Sequence, residues 1–233
     1  ISFVFHHGIF RELSVVLPTF NSLTIESMIW RIEGLSERFM YFNDDVFLSA
    51  PLIPADVFRG FLPVLRGEWV DYSELLYQPE MRRDPAKFNH FMQINAARIA
   101  GFDAKWLFAS AHVVHPMRRS VMAELFDKDR DTFIENIKYR FRDLRQFLPQ
   151  SLHNHACIAA EKAVVHTEDD HLHIESGQGI GRPPGETSAL LQKARNPEIK
   201  FLCVNDLPQL EMVVPQAREW LRGVIGGFPV LPY

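Results

Sequence analysis

The sequence is short of cysteine, of net charge and of long apolar runs, and each shortage excludes a class of protein. Its 233 residues include only two cysteines, Cys157 and Cys203, whereas secreted proteins of this size usually carry more. We therefore expect two buried free thiols in a reducing compartment. No apolar run approaches the roughly 18 to 20 residues that a membrane-spanning helix needs, and no signal peptide is visible.

The formal net charge of −4 gives the chain no global basic field, so nucleic acid is not the expected partner. The hydrophobic fraction of 47% and the charged fraction of 23% are those of a soluble globular protein. The length suits one large domain over residues 1–233. Because the chain begins at Ile1 rather than at a methionine, we expect it to be a fragment of a longer polypeptide.

Two apolar segments, Phe39–Phe42 and Phe201–Val204, are each followed by an Asn–Asp pair. The polar residues are Asn43, Asp44 and Asp45 after the first segment, and Asn205 and Asp206 after the second. In an open α/β sheet, ligands bind at the carboxyl ends of the strands, where carboxylate and amide oxygens suit a hard divalent cation that is shared with substrate phosphates. Both segments therefore predict buried strands, and if these are neighbours in a parallel sheet, Asp44 or Asp45 and Asp206 face one crevice. The alternative is a turn or a cap, where Asn and Asp are common.

A proline marks the second informative region, since Pro116 suits the first turn of a helix. His112 would then precede this helix. Arg119 would lie in its first turn, where the helix dipole disfavours a cation unless an anion is bound. Catalysis by His112 is one interpretation, and a structural loop histidine is the commoner alternative.

Two further segments suggest phosphate binding. The basic segment Lys138–Arg145 contains Arg140 and Arg142, whose guanidinium groups match phosphate oxygens, although a solvated helix face is the alternative. Asn21 and Ser22 precede a segment with helical periodicity, so they either cap that helix or contact a ligand at its N-terminus.

The coarse organisation favours an α/β domain with a Rossmann-like, mostly parallel sheet flanked by helices. Residues 55–85 mix aromatic and charged residues without periodicity, and we interpret them as an irregular insertion or a lid. Residues 166–187 begin with a strand, a turn and a return strand, which predicts a hairpin. They continue into a Gly/Pro-rich stretch that we interpret as a flexible loop.

Taken together, these blocks resemble the Stealth family of hexose-1-phosphate transferases. The resemblance rests on Leu17–Ser22, Glu26, Arg31–Ile32, Gly34–Phe39, Tyr41–Asp45, Ala111–His112, Lys138–Arg140 and Phe201–Asp206. The family includes bacterial capsular polysaccharide phosphotransferases and the catalytic core of the animal N-acetylglucosamine-1-phosphotransferase. In one departure from the family, an earlier strand block that reads like Val-Tyr-Thr-Trp-Val before an acid is absent here.

The resemblance implies transfer of a hexose-1-phosphate, such as N-acetylhexosamine-1-phosphate, from a UDP-sugar to a hydroxyl of an oligosaccharide or polysaccharide. UMP is released, and the phosphodiester becomes part of a capsular polysaccharide or exopolysaccharide. The resemblance also implies Mg²⁺ or Mn²⁺ held by Asp45 and Asp206. It further implies that His112, Asp44 or Asp45 is the base for the acceptor hydroxyl. Arg140 would stabilise the charge on the oxygens of the transferring phosphoryl group. The expected substrate-binding residues are Asn21, Ser22, Asn43, Arg119, Arg142 and Asn205.

Two other functions compete with this interpretation. A metal-dependent phosphodiesterase or nuclease would use the same acids, although a nuclease would carry more positive charge. A non-catalytic nucleotide-sugar-binding module is the second alternative. The resemblance to bacterial transferases implies a cytoplasmic protein that is peripheral to the inner membrane, where the capsule machinery assembles.

Overall fold

The computed structural model describes residues 2–84, 87–103, 105–177 and 181–226. Over these ranges the chain divides into two units, each assembled from three segments. Unit 1 consists of Ile1–Phe39, Val57–Ser110 and Pro116–Val165, and unit 2 consists of Met40–Asp56, Ala111–His115 and His166–Tyr233. The sequence predicts that residues 1–233 act as one catalytic domain. This stays a prediction, because it concerns the activity of the two units together.

The helices and strands are mixed along the chain. The α-helices are α1 (His6–Phe10), α2 (Ser22–Glu26), α3 (Ser73–Tyr77), α4 (Phe88–Ile99), α5 (Arg119–Lys128), α6 (Arg130–Ile137), α7 (Pro149–Ala159), α8 (Pro184–Lys193), α9 (Leu207–Val213) and α10 (Ala217–Ile225). The strands are β1 (Arg38–Tyr41), β2 (Val46–Leu48), β3 (Phe58–Arg59), β4 (Leu62–Asp71), β5 (Trp106–Ser110), β6 (His115–Arg118), β7 (Val164–His166), β8 (His171–Ile174) and β9 (Phe201–Val204). Short 3-10 helices cover Arg11–Val16, Ile29–Arg31, Pro54–Asp56 and Pro79–Arg83. None of the helices in the described ranges combines the length and apolar character of a membrane crossing.

Unit 1 is built around helix α4 and strands β4 and β5. The apolar side chains Phe91, Ile94 and Ala97 recur at helical spacing, so they form one stripe of α4. All three are buried in one cluster with Leu107 of β5. Strand β5 in turn pairs antiparallel with β4, which joins the helix and the two strands into one core.

The segment that we interpreted as irregular contains β4, a ten-residue strand that pairs with both β3 and β5. The irregular interpretation was wrong because the strand is buried without alternation from Pro63 to Arg66, so no period of two marks it in the sequence. At Gly67 a Cβ would lie 2.2 Å from the Ala109 carbonyl oxygen. Only glycine therefore allows β4 and β5 to approach this closely. A lid role for residues 55–85 stays a prediction.

Histidine side chains of α7 bind the main chain of two strands inside unit 1. His155 Nε2 accepts a hydrogen bond from the Phe108 N–H at 3.1 Å, and His153 Nε2 accepts one from the Arg118 N–H at 3.0 Å. Burial lowers the pKa of His155, and it lowers the pKa of His153 to about 4. Both rings therefore stay neutral acceptors at neutral pH, and their role is structural.

Unit 2 holds a three-stranded sheet in the order β2–β9–β8. All four residues of β9 are buried, which confirms the buried strand predicted there. Cys203 of β9 lies opposite Val46 in the antiparallel pair with β2 and opposite His173 in the parallel pair with β8. Helices α8, α9 and α10 pack on the sheet through a core that includes Leu172, Ile174, Leu191, Leu202, Val204, Leu210, Trp220 and Leu221.

The α/β class is confirmed, but a mostly parallel, Rossmann-like sheet is not. Three of the four strand pairs with a described register are antiparallel, and only β8–β9 is parallel. The hairpin predicted within residues 166–187 was also wrong, because β7 pairs with β4 and β8 pairs with β9. Residues 178–180 of the predicted flexible loop lie outside the described residues.

Strand β1 was predicted to be a buried parallel neighbour of β9, and this was wrong. It is half-exposed and pairs with β6. A turn at Asp44 and Asp45 separates it from β2, and β2 is the strand that lies beside β9. Pro116 also differs from expectation, since it lies in β6 and α5 begins only at Arg119. An aromatic run or a proline is compatible with several local structures. Which one forms depends on strand pairing between segments that are distant in the sequence, so local patterns could not predict it.

Candidate functional site

The turn that contains the two adjacent acids is fixed beside the end of strand β9. The Val204 N–H donates to the Asp45 carbonyl oxygen at 2.9 Å, and the Val46 N–H donates to the Asn43 carbonyl oxygen at 3.2 Å. The Asp44 side chain is exposed, whereas Asp45 is partly buried. The structure therefore distinguishes two acids that the sequence left equivalent.

Asp45 faces His112, which comes from the loop between β5 and β6. Asp45 Oδ1 lies 3.4 Å from His112 Nε2, and the side chains are 27% and 40% exposed respectively. Asp45 Oδ1 is itself buried and accepts no hydrogen bond among the described residues. A carboxylate oxygen in this position can hold a cation or stabilise positive charge on the imidazole ring.

Two linked polar contacts lead from Tyr41 through Asn43 to the ring of His112. The Tyr41 hydroxyl donates to Asn43 Oδ1 at 2.7 Å, which leaves the Asn43 amide nitrogen 3.2 Å from His112 Nε2. Because an amide nitrogen is only a donor, this contact is a hydrogen bond in the tautomer of His112 whose proton is on Nδ1, where Nε2 is the acceptor. An unprotonated, partly exposed imidazole nitrogen beside a carboxylate is suited to remove a proton from a hydroxyl group.

His173 and Cys203 complete the surroundings of His112. The rings of His112 and His173 stack with their centroids 5.7 Å apart. Burial lowers the pKa of His173, and the nearby His112 lowers it further. Cys203 Sγ donates to Asn205 Oδ1 at 3.2 Å. Burial and the Asp45 carboxylate raise the pKa of the Cys203 thiol, so Cys203 is a neutral donor rather than a nucleophile.

The donor atoms of Asp45, His112 and Cys203 lie within 4.8 Å of one another, and they offer different chemistries to a metal. Mg²⁺ takes oxygen ligands and needs only one or two carboxylates besides water and substrate phosphates, and Mn²⁺ suits the same ligands. Asp45 Oδ1 fits such an ion, because it is a buried acceptor that has no donor in the described part of the chain. Asp206 is exposed and caps α9 by accepting from the Gln209 N–H at 3.3 Å. Its predicted metal role stays a prediction.

The other predicted residues lie in unit 1: Asn21, Ser22, Arg119, Arg140 and Arg142. Arg119 is exposed at the start of α5. Ser22 Oγ accepts a hydrogen bond from Arg142 Nη2 at 2.9 Å. The guanidinium carbon of Arg140 lies 5.1 Å from the ring centroid of Phe20. A solvated helix face was the wrong alternative for residues 138–145, because that segment is not helical.

Asn21 has a structural role in this arrangement. Its Oδ1 accepts from the Leu23 N–H at 3.1 Å, which caps α2. Its Nδ2 donates to Gln146 Oε1 at 2.8 Å and to the Tyr139 carbonyl oxygen at 3.1 Å. The residue is 0% exposed. The capping alternative is therefore confirmed, and a substrate contact would require these bonds to break.

Replacing Asn21 tests this structural role. We expect Asn21→Ala to lower the free energy of unfolding by about 2–3 kcal/mol, because the helix loses its cap and buried acceptors lose their donor. Denaturant unfolding followed by circular dichroism measures the change. Ser22→Ala is the matched control, since it removes one contact with exposed Arg142 and should cost less than about 0.5 kcal/mol. Equal losses for the two variants would contradict the role.

The arrangement in unit 2 defines a class of site. An imidazole beside a carboxylate, one oxygen of which could hold a cation, is an arrangement that can serve acid–base chemistry on a charged substrate. The sequence selected Asp45, His112, Asn43 and Asn205 for it, and the structure brings these together. It missed Tyr41, His173 and Cys203, and for His173 the alternation of polar and apolar residues in β8 was a local signal.

Comparison with known proteins finds similar phosphotransferases. Residues 1–62 match the family model described as Stealth protein CR2, conserved region 2. An exopolysaccharide phosphotransferase of Nocardia farcinica is 26% identical over 219 residues, which cover 91% of this chain and 41% of that protein. A capsular polysaccharide phosphotransferase of Streptococcus pneumoniae is 25% identical over 213 residues, which cover 82% and 62% respectively.

The human N-acetylglucosamine-1-phosphotransferase subunits alpha/beta are 50% identical over 58 residues, which cover 25% of this chain and 4% of that protein. These matches confirm the resemblance to the Stealth family. The chain spans between 4% and 62% of the lengths of these three relatives, so it corresponds to a part of each.

Proposed function

We propose that the chain transfers a hexose-1-phosphate from a UDP-sugar to a hydroxyl of a growing capsular polysaccharide or exopolysaccharide. N-acetylhexosamine-1-phosphate is the proposed group. The pairing of His112 with Asp45 carries the proposal, because phosphoryl transfer to a hydroxyl needs positioning, charge neutralisation and a base for the hydroxyl proton. The names of the relatives, exopolysaccharide and capsular polysaccharide phosphotransferases, support the same reaction class.

In this reaction the acceptor hydroxyl oxygen attacks the phosphorus that carries the sugar. A P–O bond forms to the acceptor, the bond from this phosphorus to the bridging oxygen of the diphosphate breaks, and UMP leaves with that oxygen. The hydroxyl proton passes to His112 Nε2. The Asp45 carboxylate, 3.4 Å from the same nitrogen, stabilises the resulting imidazolium by its opposite charge.

A divalent cation, Mg²⁺ or Mn²⁺, would neutralise charge on the diphosphate when bound. Asp45 would hold it, with Asp206 as the second proposed ligand. Asn43 and Asn205 are proposed to contact the substrate through their amide groups. Asp44 is exposed, so it is the less suited of the two adjacent acids for both roles.

The basic residues of unit 1 are proposed to bind donor phosphate oxygens. Arg140, Arg142 and Arg119 are all exposed, and guanidinium groups match phosphate oxygens in geometry and charge. Ser22 already accepts a hydrogen bond from Arg142, so it would orient that side chain.

We also propose a cytoplasmic location, peripheral to the inner membrane and beside the machinery that assembles the capsule. Both cysteines are free and buried, which supports a reducing compartment. The proposed partners are the UDP-sugar donor and an oligosaccharide or polysaccharide acceptor.

Primer-dependent release of UMP tests the proposed function. The chain is incubated with UDP-N-acetylglucosamine or UDP-N-acetylgalactosamine, Mg²⁺ and an oligosaccharide primer, and UMP is measured by chromatography. We expect UMP only with primer, because transfer needs an acceptor. Release should stop when EDTA removes the cation and return when Mg²⁺ or Mn²⁺ is restored. UMP without primer would indicate a phosphodiesterase, and no UMP from any donor would leave a non-catalytic binding module.

A further inference from the structure

Two phenylalanine rings lie stacked and exposed on the surface of unit 1, next to two arginines. Phe20 and Phe141 are 66% and 67% exposed. Their centroids are 5.8 Å apart, and their planes meet at 18°. The guanidinium carbon of Arg140 lies 5.1 Å from the Phe20 centroid, and exposed Arg142 follows Phe141 in the chain. Exposed apolar surface bordered by charge is typical of a binding site.

Hydrogen bonds hold the backbone that carries these rings. The Phe20 N–H donates to the Arg140 carbonyl oxygen at 3.1 Å. Asn21 follows Phe20, and Tyr139 precedes Arg140. The Tyr139 carbonyl oxygen accepts from Asn21 Nδ2 at 3.1 Å and from Thr24 Oγ1 at 3.0 Å. Both rings therefore project from a backbone that is already ordered, which lowers the entropic cost of binding a ligand.

The two kinds of side chain recognise the two ends of a nucleotide. An aromatic ring offers a face on which a flat base can stack, and a guanidinium group pairs with phosphate oxygens. Inorganic phosphate or a sugar phosphate would use only the arginines. A nucleic-acid strand would use both, but the net charge of −4 opposes its binding.

We propose that Phe20 and Phe141 form the stacking surface for the uracil base of the donor nucleotide, with Arg140 and Arg142 on its phosphates. The proposal rests on the proposed function, which supplies a UDP-sugar as donor and UMP as product. The two phenylalanines are positioning residues, because they hold the part of the donor that does not react. They also give the chain a preference for a nucleotide over a base-free phosphate.

Binding of UMP to the full 233-residue chain, measured by isothermal titration calorimetry, tests this assignment. Phe141→Ala should weaken UMP binding about tenfold, since a stacking ring is lost, and Phe20→Ala should act in the same direction. Ribose 5-phosphate carries no base, so its affinity should stay within about twofold in both variants. In saturation-transfer NMR, the uracil ring protons should receive more saturation than the ribose protons.

Phe61→Ala is the matched control. Phe61 is 64% exposed in the same unit, and the guanidinium carbon of Arg38 lies 5.5 Å from its centroid. The variant thus removes an equally exposed ring beside an arginine, and UMP affinity should not change. An unchanged UMP affinity in both Phe20→Ala and Phe141→Ala would overturn the proposal. So would an equal loss for UMP and ribose 5-phosphate.

The same measurements separate this inference from the proposed function. Phenylalanine-dependent binding of UMP without primer-dependent UMP release would support the stacking surface and refute the transfer reaction. Transfer activity combined with an unchanged UMP affinity in both Phe20→Ala and Phe141→Ala would support the transfer reaction and refute the stacking surface. A chain that binds no UMP would refute both.

Discussion

Asp45→Asn should lower the rate of primer-dependent UMP release by about 10³-fold or more, because one substitution removes two proposed roles. The variant keeps the size of the side chain but loses the charge 3.4 Å from His112 Nε2. It also loses the carboxylate proposed to hold the cation. Since Asp45 Oδ1 is buried and has no hydrogen bond to any described residue, removing its charge should leave the melting temperature unchanged or slightly higher.

The neighbouring acid provides the control for this prediction. Asp44→Asn removes the same charge from an exposed side chain, where solvent screens it, so the rate should stay within about threefold of the original. A titration with Mg²⁺ then separates the two roles of Asp45. Recovery of the Asp45→Asn rate at high Mg²⁺ would assign the loss to cation binding, and no recovery would assign it to the pairing with His112. A larger loss of rate in Asp44→Asn than in Asp45→Asn would contradict the assignment of both roles to Asp45.

Local periodicity predicts some elements of this fold and misses others for a physical reason. The helical spacing of Phe91, Ile94 and Ala97 indicates α4, Phe88–Ile99, and the apolar run Phe201–Val204 is the buried strand β9. Strand β4 was not predicted, because its burial depends on pairing with β3 and β5. Propensity cannot supply such pairings, since they join segments that are distant in the sequence.

The same limit applies to the site. The polar residues after β1 and the loop histidine were each recognisable, but their contact joins Asn43 to His112 across 69 positions. His173 reaches the ring of His112 from strand β8, whose place beside β9 is a tertiary feature. In the sequence it resembles an exposed hairpin histidine.

The second Asn–Asp pair shows how one motif can take two structures. Asp206 has a left-handed backbone, with φ of 47° and ψ of 63°, and its carboxylate caps α9. Asp45 instead lies in a turn, and its Oδ1 has no hydrogen bond within the described ranges. The sequence presents the two as equivalent, because helix capping and metal binding both select a short acidic side chain after a strand.

His112→Ala should lower the rate of UMP release by about 10²–10⁴-fold, which is the usual contribution of a positioned base. The side chain is 40% exposed, so its removal should leave the melting temperature nearly unchanged. Asn43 and Asp45 keep their places in the variant, because the main chain of their turn is bonded independently of His112. Added imidazole should therefore restore part of the rate by occupying the space of the lost ring.

A second histidine–aspartate pair in unit 2 provides the comparison. His171 Nδ1 lies 3.6 Å from Asp170 Oδ1, so His171→Ala also removes an imidazole beside a carboxylate. Its rate should stay within about threefold of the original, since this pair has no proposed role in proton transfer. Rescue by imidazole in His112→Ala alone would identify His112 as the base, because a structural ring would not be replaced by a free one. A lower melting temperature without rescue would instead show that His112 is the structural loop histidine considered at the outset.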